Sequence, residues 1–527
     1  MNTPLTNQHI LLGVTGSIAA YKAVELASRL TQAGAQVDVI LTQAALQFIT
    51  PLTFQSVTGR KAYSDADLWG GQAHILHVGM GRQADLLAIA PCSANTLAKL
   101  AHGIADNLLT VTALAAHCPI LVAPAMDAGM YGHAATQANV ETLRQRGVIF
   151  VGPAEGRMAS GLVGLGRMVE PGEIGAQIRL ICARSGPLAG KKLVVTAGGT
   201  QEPIDPVRVV ANRSSGKQGF ALAQAALDAG ANVTLIAGPV SLNTPVGARR
   251  INVQTAQEML NAVLAEVVEG QADSLIMAAA VADFRPSSPA EQKIKKESGA
   301  PEITLERTPD ILAAVAAQKA DSGFPRVAVG FAAESEALLE NARKKLVGKK
   351  LDLIAANDIS ATDAGFAVDN NRVTLLDTHG TEALPLMSKD EVAARIIARV
   401  VQLIQKSSAD PACPDLLVHL CSQAAWQAAQ QAGGYRPASL ETEHFIHLSR
   451  PEQILRVANA LYRGTPDLIL LWLDPIKLTS ALRWEAVEDD TFPHLYGPLN
   501  LEAVVGISAF PCDEDGMFHR LPHSAED

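Results

Sequence analysis

Apolar runs of strand length alternate with segments of helical periodicity through the first third of the chain. The run at 9–14 ends in a Thr-Gly turn, and the segment at 17–34 has apolar residues at helical spacing and stops at a glycine. Similar apolar runs follow near 36–42, 85–91, 118–126 and 148–154. Strands buried on both faces and separated by helices are typical of a parallel, doubly wound sheet. The sequence therefore predicts a Rossmann-like α/β domain over residues 1–185.

The same alternation begins again after the stretch at 182–190, which we expect to be a linker. A strand pattern at 191–197 runs into a glycine-rich turn, and apolar runs near 274–284, 326–335 and 351–358 also end in residues suited to ligand binding. These features predict a second doubly wound domain over residues 186–405, which an amphipathic helix closes. The polar, proline-containing segment at 285–310 is expected to be a mobile loop over a site.

The last part of the chain differs in charge and in aromatic content. Residues 410–527 carry 7 Lys/Arg against 17 Asp/Glu, whereas the preceding residues are balanced at 36 of each. Three of the four tryptophans, Trp426, Trp472 and Trp484, also lie there. This shift marks a domain boundary, and the short apolar runs predict a small α+β domain over residues 412–527.

Composition narrows the class of protein. A hydrophobic content of 48% with 18% charged residues is typical of a globular chain. No apolar run approaches the roughly 18 residues of a membrane span, and no basic stripe suggests nucleic acid. The amino-terminal segment has no signal-peptide pattern, so we expect a cytoplasmic protein. Six cysteines without a C-x-x-C pair argue against a disulfide framework and against structural zinc.

Small and polar residues follow the strands of the first predicted domain. Gly16 and Ser17 open a helix directly after a strand, where free backbone N–H groups suit a phosphate. An ordinary N-cap by Ser17 is the alternative. The APCSANT turn at 90–96 is a second candidate of the same kind, and no G-x-G-x-x-G nicotinamide fingerprint is present. His74 lies in a loop-like stretch, and Asp127 ends another strand, where it could be a simple turn former.

The second predicted domain carries more specific motifs. The TAGGTQEPIDPVR segment at 196–208 and the NRSSGKQG segment at 212–219 suit the binding of phosphates and carboxylates through backbone N–H groups. Lys293 lies in the expected loop, Asp283 follows a strand and could hold Mg²⁺, and a basic cluster occupies 343–350. A charge run is usually a solvated face. Together with a metal carboxylate and a glycine-rich turn, however, it favours nucleotidyl chemistry.

Together these motifs resemble the bifunctional bacterial phosphopantothenoylcysteine decarboxylase/phosphopantothenate–cysteine ligase family. The resemblance covers about residues 8–405. On the ligase side it rests on the two segments above and on AAAVADFR, KIKK, TPDI, GFAAE and AND. On the decarboxylase side it rests on VTGSIAAYK, the APCSANT turn, GIADNLL, PAM with MY four residues later, and GRM-EP.

The resemblance implies that the second domain activates the carboxylate of phosphopantothenate with CTP, giving an acyl-cytidylate and pyrophosphate. The amine of cysteine would then form the amide. Asn212 matches the position that handles the acyl intermediate, Lys293 the loop lysine that assists activation, and Asp283 the carboxylate beside Mg²⁺. The positions that match nucleotide contacts are Asp283, Lys293, Phe331, Lys345 and Lys349.

The resemblance also implies FMN in the first domain. FMN would oxidise the cysteinyl thiol, CO₂ would be lost, and the reduced flavin would return its electrons. His74 matches the active-site histidine. The positions that match flavin contacts are Gly16, Ser17, Thr42, Pro91, Ser93 and Ala94. The family further implies a homo-oligomer, with trimers of the flavin domain and dimers of the ligase domain.

Two positions depart from the usual family pattern. Asp127 stands where an asparagine amide would hold the substrate carboxylate, so an ionised Asp127 would face a like charge. Ser160 stands where many members have a cysteine, and serine is a far weaker acid. A working bifunctional enzyme is the leading hypothesis. The alternatives are an active ligase with a catalytically impaired FMN-binding scaffold, and a flavoprotein that acts by binding a partner.

The last domain resembles a small family of unknown function. The resemblance rests on Trp426, Tyr435, His447, Gln453 and the FPHLYG segment at 492–497. These polar side chains could line a small-ligand pocket or could be buried polar ties in a small core. A distant likeness to ADP-ribosyl-transferring folds is a further possibility.

Overall fold

The computed structural model describes residues 3–69, 73–158, 161–295, 302–334, 338–358, 370–377, 380–408, 416–465, 467–487, 490–513 and 515–521. The chain divides into two compact units, Met1–Ile404 and Gln405–Asp527. The first unit contains two large sheets, and the second contains two small ones. Within the described residues, no helix is long and apolar enough to cross a membrane.

The first sheet has six parallel strands. Their spatial order is Ala62–Ser64, Gln36–Leu41, His9–Val14, Leu86–Cys92, Ile120–Pro124 and Ile149–Phe150. The helices are Ala20–Gln32, Pro51–Thr58, Ala73–Gln83, Ala94–His102, Leu108–Ala115, Ala128–Gly132, Ala134–Gln145 and Pro171–Cys182. An antiparallel hairpin, Ala154–Arg157 with Val163–Arg167, follows the last strand. The first three strands of the sequence add towards one edge of the sheet, and the fourth to sixth add towards the other edge. The change of direction lies between His9–Val14 and Leu86–Cys92, as in doubly wound nucleotide-binding folds.

Alternate residues of the central strand are buried in two different layers. Ile10, Leu12 and Val14 pack in one core cluster, and Leu11 packs in another, all of them fully buried. Helices cover both faces of the sheet for this reason, and the strand shows a continuous apolar run instead of an alternating one. The predicted parallel, doubly wound fold is confirmed.

The second sheet repeats this order and adds two antiparallel strands at one edge. The spatial order is Arg249–Asn252, Asn232–Ala237, Lys192–Ala197, Ser274–Met277, Val327–Glu334, Leu353–Asp358, Val373–Leu376 and Thr381–Ala383. The helices are Lys217–Asp228, Ala256–Leu264, Ile311–Ser322, Leu338–Gly348 and Lys389–Ser408. Small antiparallel ribbons join Gln201–Pro203 to Val209–Ala211, Phe284–Pro286 to Leu305–Arg307, and Asn370–Asn371 to Met387–Ser388.

Three local expectations from the sequence need correction. The stretch at 182–190 is docked and does not form a free linker, because Leu188 is buried and its N–H donates to the carbonyl oxygen of Ala229 at 2.7 Å. The segment at 285–310 begins and ends in the paired ribbon described above, although residues 296–301 lie outside the described part. The stretch from 73 onwards is a helix and not a loop, and its Gly81 packs closely against Ala115.

The second unit has two three-stranded antiparallel sheets. One contains Leu417–Ser422, Leu468–Leu473 and Val504–Ala509, and the other contains Ile446–His447, Asp490–Tyr496 and Ala481–Val487. The helices are Gln423–Ala432, Ala438–Thr442 and Ile454–Leu461. Strand Leu468–Leu473 is buried along its whole length. This is the small α+β domain that the sequence predicts.

Candidate active sites

An open cavity of about 860 Å³ lies at the carboxyl edge of the first sheet. Residues that directly follow four strands line it, and this is the edge where doubly wound sheets bind ligands. Five of the six positions expected to contact flavin lie on its wall: Gly16, Ser17, Thr42, Ser93 and Ala94. Asp127 lines it as well.

Pro91, the sixth of these positions, is not part of the cavity wall and contributes through its backbone. Its carbonyl oxygen accepts a hydrogen bond from Thr15 Oγ1 at 2.8 Å. Thr15 Oγ1 in turn accepts from the backbone N–H of Ser93 at 2.9 Å, and Thr15 is 1% exposed. One buried hydroxyl therefore ties the ends of the two central strands together below the cavity floor.

The turns around the cavity have specific local causes. Ser93 caps helix Ala94–His102 by accepting from Thr96 N at 3.3 Å. Gly16 is required by close packing, because a Cβ there would lie 2.6 Å from the Cβ of Ala44. The N-cap function and the cavity wall thus coincide at Ser93. Ser17 lines the cavity but does not cap a helix, because the following helix begins at Ala20 with Ala19 as its N-cap; Ser17 Oγ instead accepts from Ala19 N at 3.2 Å.

Asp127 has a definite structural role. It is the N-cap of the short helix Ala128–Gly132, and its Oδ1 accepts a hydrogen bond from Gly129 N at 2.9 Å. Asn and Asp are about equally good N-caps, so the departure from asparagine preserves the local backbone. His74 is the second residue of helix Ala73–Gln83, but its side chain lies outside the described part of the structure, as does Ser160.

Four cationic residues line this cavity that the sequence interpretation did not single out: Lys22, Lys99, Arg157 and Arg167. Lys22 is buried, and its Nζ donates to Glu170 Oε1 at 2.7 Å. The signal for Lys22 was present, since it lies at helical spacing on the same face as the buried Leu26. The two arginines come from the hairpin after the last strand, and neither sequence position indicated that it returns to the cavity.

The second site lies at the carboxyl edge of the second sheet, where the glycine-rich turn and Asn212 meet. A Cβ on Gly199 would approach the carbonyl oxygen of Asn212 to 2.8 Å, so this contact requires glycine. The side chain of Asn212 donates from Nδ2 to the carbonyl oxygen of Val281 at 2.9 Å. Asn212 is exposed, and so is Asp283 two residues beyond Val281. The turn, the amide and the carboxylate thus share one edge of the sheet.

Buried threonines hold this edge in register. Thr196 Oγ1 accepts from Ala279 N at 3.1 Å, and Thr200 Oγ1 accepts from Ala282 N at 2.9 Å. Both threonines are fully buried. Because these bonds cross from one strand end to the next, they fix the segment that carries Asp283 beside the glycine-rich turn.

The basic cluster divides between the site edge and the outer surface. Lys345 donates from Nζ to the carbonyl oxygen of Phe331 at 2.6 Å, and Lys349 pairs with Asp310. Lys344 instead pairs with Glu340 on the exposed helix surface at 2.7 Å. Two of the lysines therefore face the sheet end with Phe331, while a third is an ordinary solvated residue.

Lys293 lies on a segment that a buried carboxylate anchors. Asp205 Oδ2 accepts from the N–H of Ile294 at 3.2 Å, and Arg208 donates to the carbonyl oxygen of the same residue at 3.3 Å. The side chain of Lys293 is exposed. Burial alone would raise the pKa of Asp205, but hydrogen bonds from three backbone N–H groups and the charge of Arg208 outweigh it and lower the pKa.

Several of the polar residues singled out in the second unit contact two further polar residues, His419 and Glu485. His419 Nδ1–H donates to the carbonyl oxygen of His447 at 2.7 Å, and its Nε2 lies 3.1 Å from Tyr435 Oη. His494 pairs with Glu485 at 2.6 Å, and Tyr496 donates to the same carboxylate at 2.7 Å. The contact between His419 and Tyr435 is a buried polar tie, whereas the side chain of His447 is 54% exposed.

Three family profiles match separate parts of the chain. Residues 1–182 match the profile described as Flavoprotein, and residues 188–404 match the DNA/pantothenate metabolism flavoprotein C-terminal domain. Residues 420–507 match a protein of unknown function, DUF952. The first profile covers the cavity of the first sheet, and the second covers the glycine-rich edge of the second sheet. The class is a two-domain flavoprotein of pantothenate metabolism with an additional small domain.

Similar proteins specify the family. The coenzyme A biosynthesis bifunctional protein CoaBC of Vibrio vulnificus (strain CMCP6) is 46% identical over 405 residues, which are 76% of this chain and 99% of the relative. The CoaBC protein of Bacillus subtilis (strain 168) is 46% identical over 408 residues, with the same coverage. A crystal structure of the C-terminal domain of a CoaBC protein is 38% identical, covers 42% of this chain and 100% of that chain, and has a TM-score of 0.36.

The chain belongs to the family of coenzyme A biosynthesis bifunctional proteins, CoaBC. It is an enzyme with a phosphopantothenoylcysteine decarboxylase activity and a phosphopantothenate–cysteine ligase activity.

Proposed function

We propose that the second domain uses CTP and Mg²⁺ to join 4'-phosphopantothenate to cysteine. The carboxylate oxygen of phosphopantothenate attacks the α-phosphorus of CTP, and pyrophosphate leaves. The amine of cysteine then attacks the acyl carbon, the amide forms, and CMP leaves. The observation that carries this proposal is the meeting of the Gly199 turn, Asn212 and the Asp283 segment at one sheet edge.

The chemistry of the side chains supports specific roles. Asn212 can hold the acyl group through its amide, and Lys293 can neutralise charge that develops on the transferring phosphate. Lys345 and Lys349 can contact the nucleotide beside Phe331 after exchanging their present partners. A single exposed carboxylate, Asp283, fits Mg²⁺, because this ion is usually held by one or two carboxylates together with the phosphates of the substrate.

We further propose that the first domain binds FMN and converts phosphopantothenoylcysteine to 4'-phosphopantetheine. The cavity volume, the helix start after Ser93 and the small residues Gly16 and Ala94 fit a flavin phosphate and ring. FMN, when bound, supplies reversible two-electron oxidation of the cysteinyl thiol. The residues of the cavity wall orient the substrate. His74 and Ser160 remain assigned to the catalytic positions by resemblance alone.

Asp127 is the residue on which this proposal and the scaffold alternative differ. Its Oδ1 accepts the capping bond from Gly129 N in either case. The alternative, in which the first domain is only an FMN-binding scaffold, would require the carboxylate of Asp127 to repel that of the substrate.

A coupled assay tests both halves. The full chain, loaded with FMN, receives phosphopantothenate, cysteine, CTP and Mg²⁺, and mass spectrometry follows pyrophosphate, phosphopantothenoylcysteine and phosphopantetheine. We expect one pyrophosphate for each phosphopantetheine. Accumulation of phosphopantothenoylcysteine would favour the scaffold alternative, and no turnover at all would refute both proposals. An Asn212→Ala variant should lose the ligase step and still decarboxylate phosphopantothenoylcysteine supplied from outside.

A homo-oligomer and a cytoplasmic location complete the proposal. Ile18 and Tyr21 line the flavin cavity yet are each 64% exposed, which supports cover by a second copy of the chain. Light scattering with and without FMN measures the number of chains in this oligomer.

The cytoplasmic location has separate support. The five described cysteines are unpaired, as expected in a reducing compartment.

A further inference from the structure

The segment that carries Lys293 is fixed to the 196–208 motif by hydrogen bonds to the backbone N–H and carbonyl oxygen of Ile294. Asp205 lies in the 196–208 motif and has a fully buried side chain. Its Oδ1 accepts from the N–H groups of Val207 and Arg208, both at 2.8 Å. Its Oδ2 accepts from Arg208 Nη1 at 3.1 Å and from Ile294 N at 3.2 Å. Both oxygens of one carboxylate are therefore used, and one of them reaches across 89 residues of sequence.

Arg208 completes the connection from the other side. Its Nη2 donates to the carbonyl oxygen of Ile294 at 3.3 Å, so both backbone polar groups of Ile294 are held by the same ion pair. Ala290 N also donates to the carbonyl oxygen of Ile204 at 2.9 Å. Ile294 lies directly between Lys293 and Lys295. The direction in which these lysines leave the backbone is thus set by Asp205 and Arg208.

We propose that Asp205 is a positioning residue for the ligase reaction, which acts by holding Lys293 at the activated carboxylate through Arg208 and Ile294. The inference rests on the proposed role of Lys293. Asp205 itself touches no substrate in this account. Placement matters because a displacement of about 1 Å in a catalytic group can cost on the order of a hundredfold in rate.

The experiment uses the FMN-loaded full chain and four variants: Asp205→Asn, Lys293→Gln, the double variant, and Asp377→Asn as a matched control. Asn at 205 keeps the size of the side chain but removes the charge that holds Arg208. Asp377 is also a buried carboxylate of this domain, and it pairs with Arg399. Rapid-quench measurements without cysteine give the rate of pyrophosphate release, and thermal unfolding of each variant shows whether its ligase domain is folded.

We expect Asp205→Asn to slow pyrophosphate release at least about tenfold, with little change in the KM for cysteine or in decarboxylation. The double variant should be no slower than Lys293→Gln alone, because residues that act through one another are not additive. Asp377→Asn should release pyrophosphate at a rate close to that of the wild type.

The outcomes distinguish the positioning role of Asp205 from the proposed role of Lys293. Wild-type pyrophosphate release in Asp205→Asn, beside a slow Lys293→Gln, would overturn the positioning role and leave the proposed function intact. A double variant slowed by the product of the two single effects would also overturn it, since Asp205 would then act independently of Lys293. Normal release in Lys293→Gln would refute the assignment of Lys293 itself.

Discussion

Thr15 and Pro91 join the two central strands of the flavin domain directly below the cavity, through a hydrogen bond of 2.8 Å from Thr15 Oγ1 to the Pro91 carbonyl oxygen. We predict that Thr15→Val, which keeps the shape of the side chain, costs about 1–3 kcal/mol of unfolding free energy, because it leaves the N–H of Ser93 without its acceptor. The flavin content per chain should fall as well, since both strand ends carry cavity residues. Visible absorbance of the purified variant measures this content.

Thr112→Val is the matched control for that prediction. Thr112 is also fully buried, and its Oγ1 donates to the carbonyl oxygen of Leu108 at 2.7 Å, within a helix. This variant should lose some stability but keep its flavin. Equal flavin content in the two variants would show that the tie at Thr15 does not shape the cavity.

The capping role of Asp127 predicts different results for two substitutions. Asp127→Asn should leave the unfolding free energy nearly unchanged, whereas Asp127→Ala should lower it by about 1 kcal/mol, because alanine cannot accept from Gly129 N. Thermal unfolding of the flavin-loaded chain measures both. If Asp127→Asn were destabilised as much as Asp127→Ala, the accepting oxygen would not be what stabilises the short helix.

A buried ion cluster at the opposite edge of the first sheet predicts a pH dependence of stability. Asp38 accepts from His9 at 2.6 Å and from Arg60 at 2.7 Å. Burial would raise the pKa of Asp38, but these bonds outweigh it and lower the pKa to about 2. The hydrogen bond from Asp38 raises the pKa of His9. Both groups are charged together in the folded chain at mildly acidic pH.

The sign of each contribution follows from its shift. The stabilisation by Asp38, about 2 kcal/mol, is complete above about pH 4 and is lost as pH falls towards 2. The contribution of His9 is complete below about pH 6.5 and is lost as pH rises through its raised pKa. The stability difference between wild type and Asp38→Asn should therefore be largest near pH 5. Glu25→Gln, which removes an exposed pair with Arg29, should change stability by less than about 1 kcal/mol at any pH.

His419 predicts an acid-sensitive second unit. Burial lowers its pKa to about 4, so the folded unit holds the neutral ring. The unfolded chain takes up a proton below about pH 6.5, so stability should fall by about 3 kcal/mol as pH drops from 6.5 to 4 and then level off. Tryptophan fluorescence reports on this unit, because three of the four tryptophans lie in it.

Substitution separates this effect from general acid sensitivity. His419→Gln should flatten the dependence between about pH 6.5 and 4, because the titrating ring is gone. His519→Gln should retain it, since His519 is largely exposed and pairs with Asp515 on the surface. An unchanged slope in His419→Gln would contradict the assignment.

The corrected expectations have a common cause. The stretch around His74 is rich in glycine, which predicts a loop, but Gly81 allows the helix to approach Ala115 closely. The segment at 285–310 is polar, which predicts mobility, yet its ends pair as a ribbon and Ile294 is anchored by Asp205. Composition describes the local chain alone, and in each case a distant partner decides the conformation.

The sequence by itself determined the layers of this protein and the turns that carry its chemistry. Continuous apolar runs require strands covered on both faces, and such strands place the residues after Val14, Cys92 and Met277 at a carboxyl edge. Only the tertiary structure decided which of these side chains meet. Lys22 reaches Glu170 across 148 residues, and Asp205 reaches Ile294 across 89. Periodicity encodes whether a side chain is buried, but the identity of its partner depends on strand order and packing between layers, which no local pattern contains.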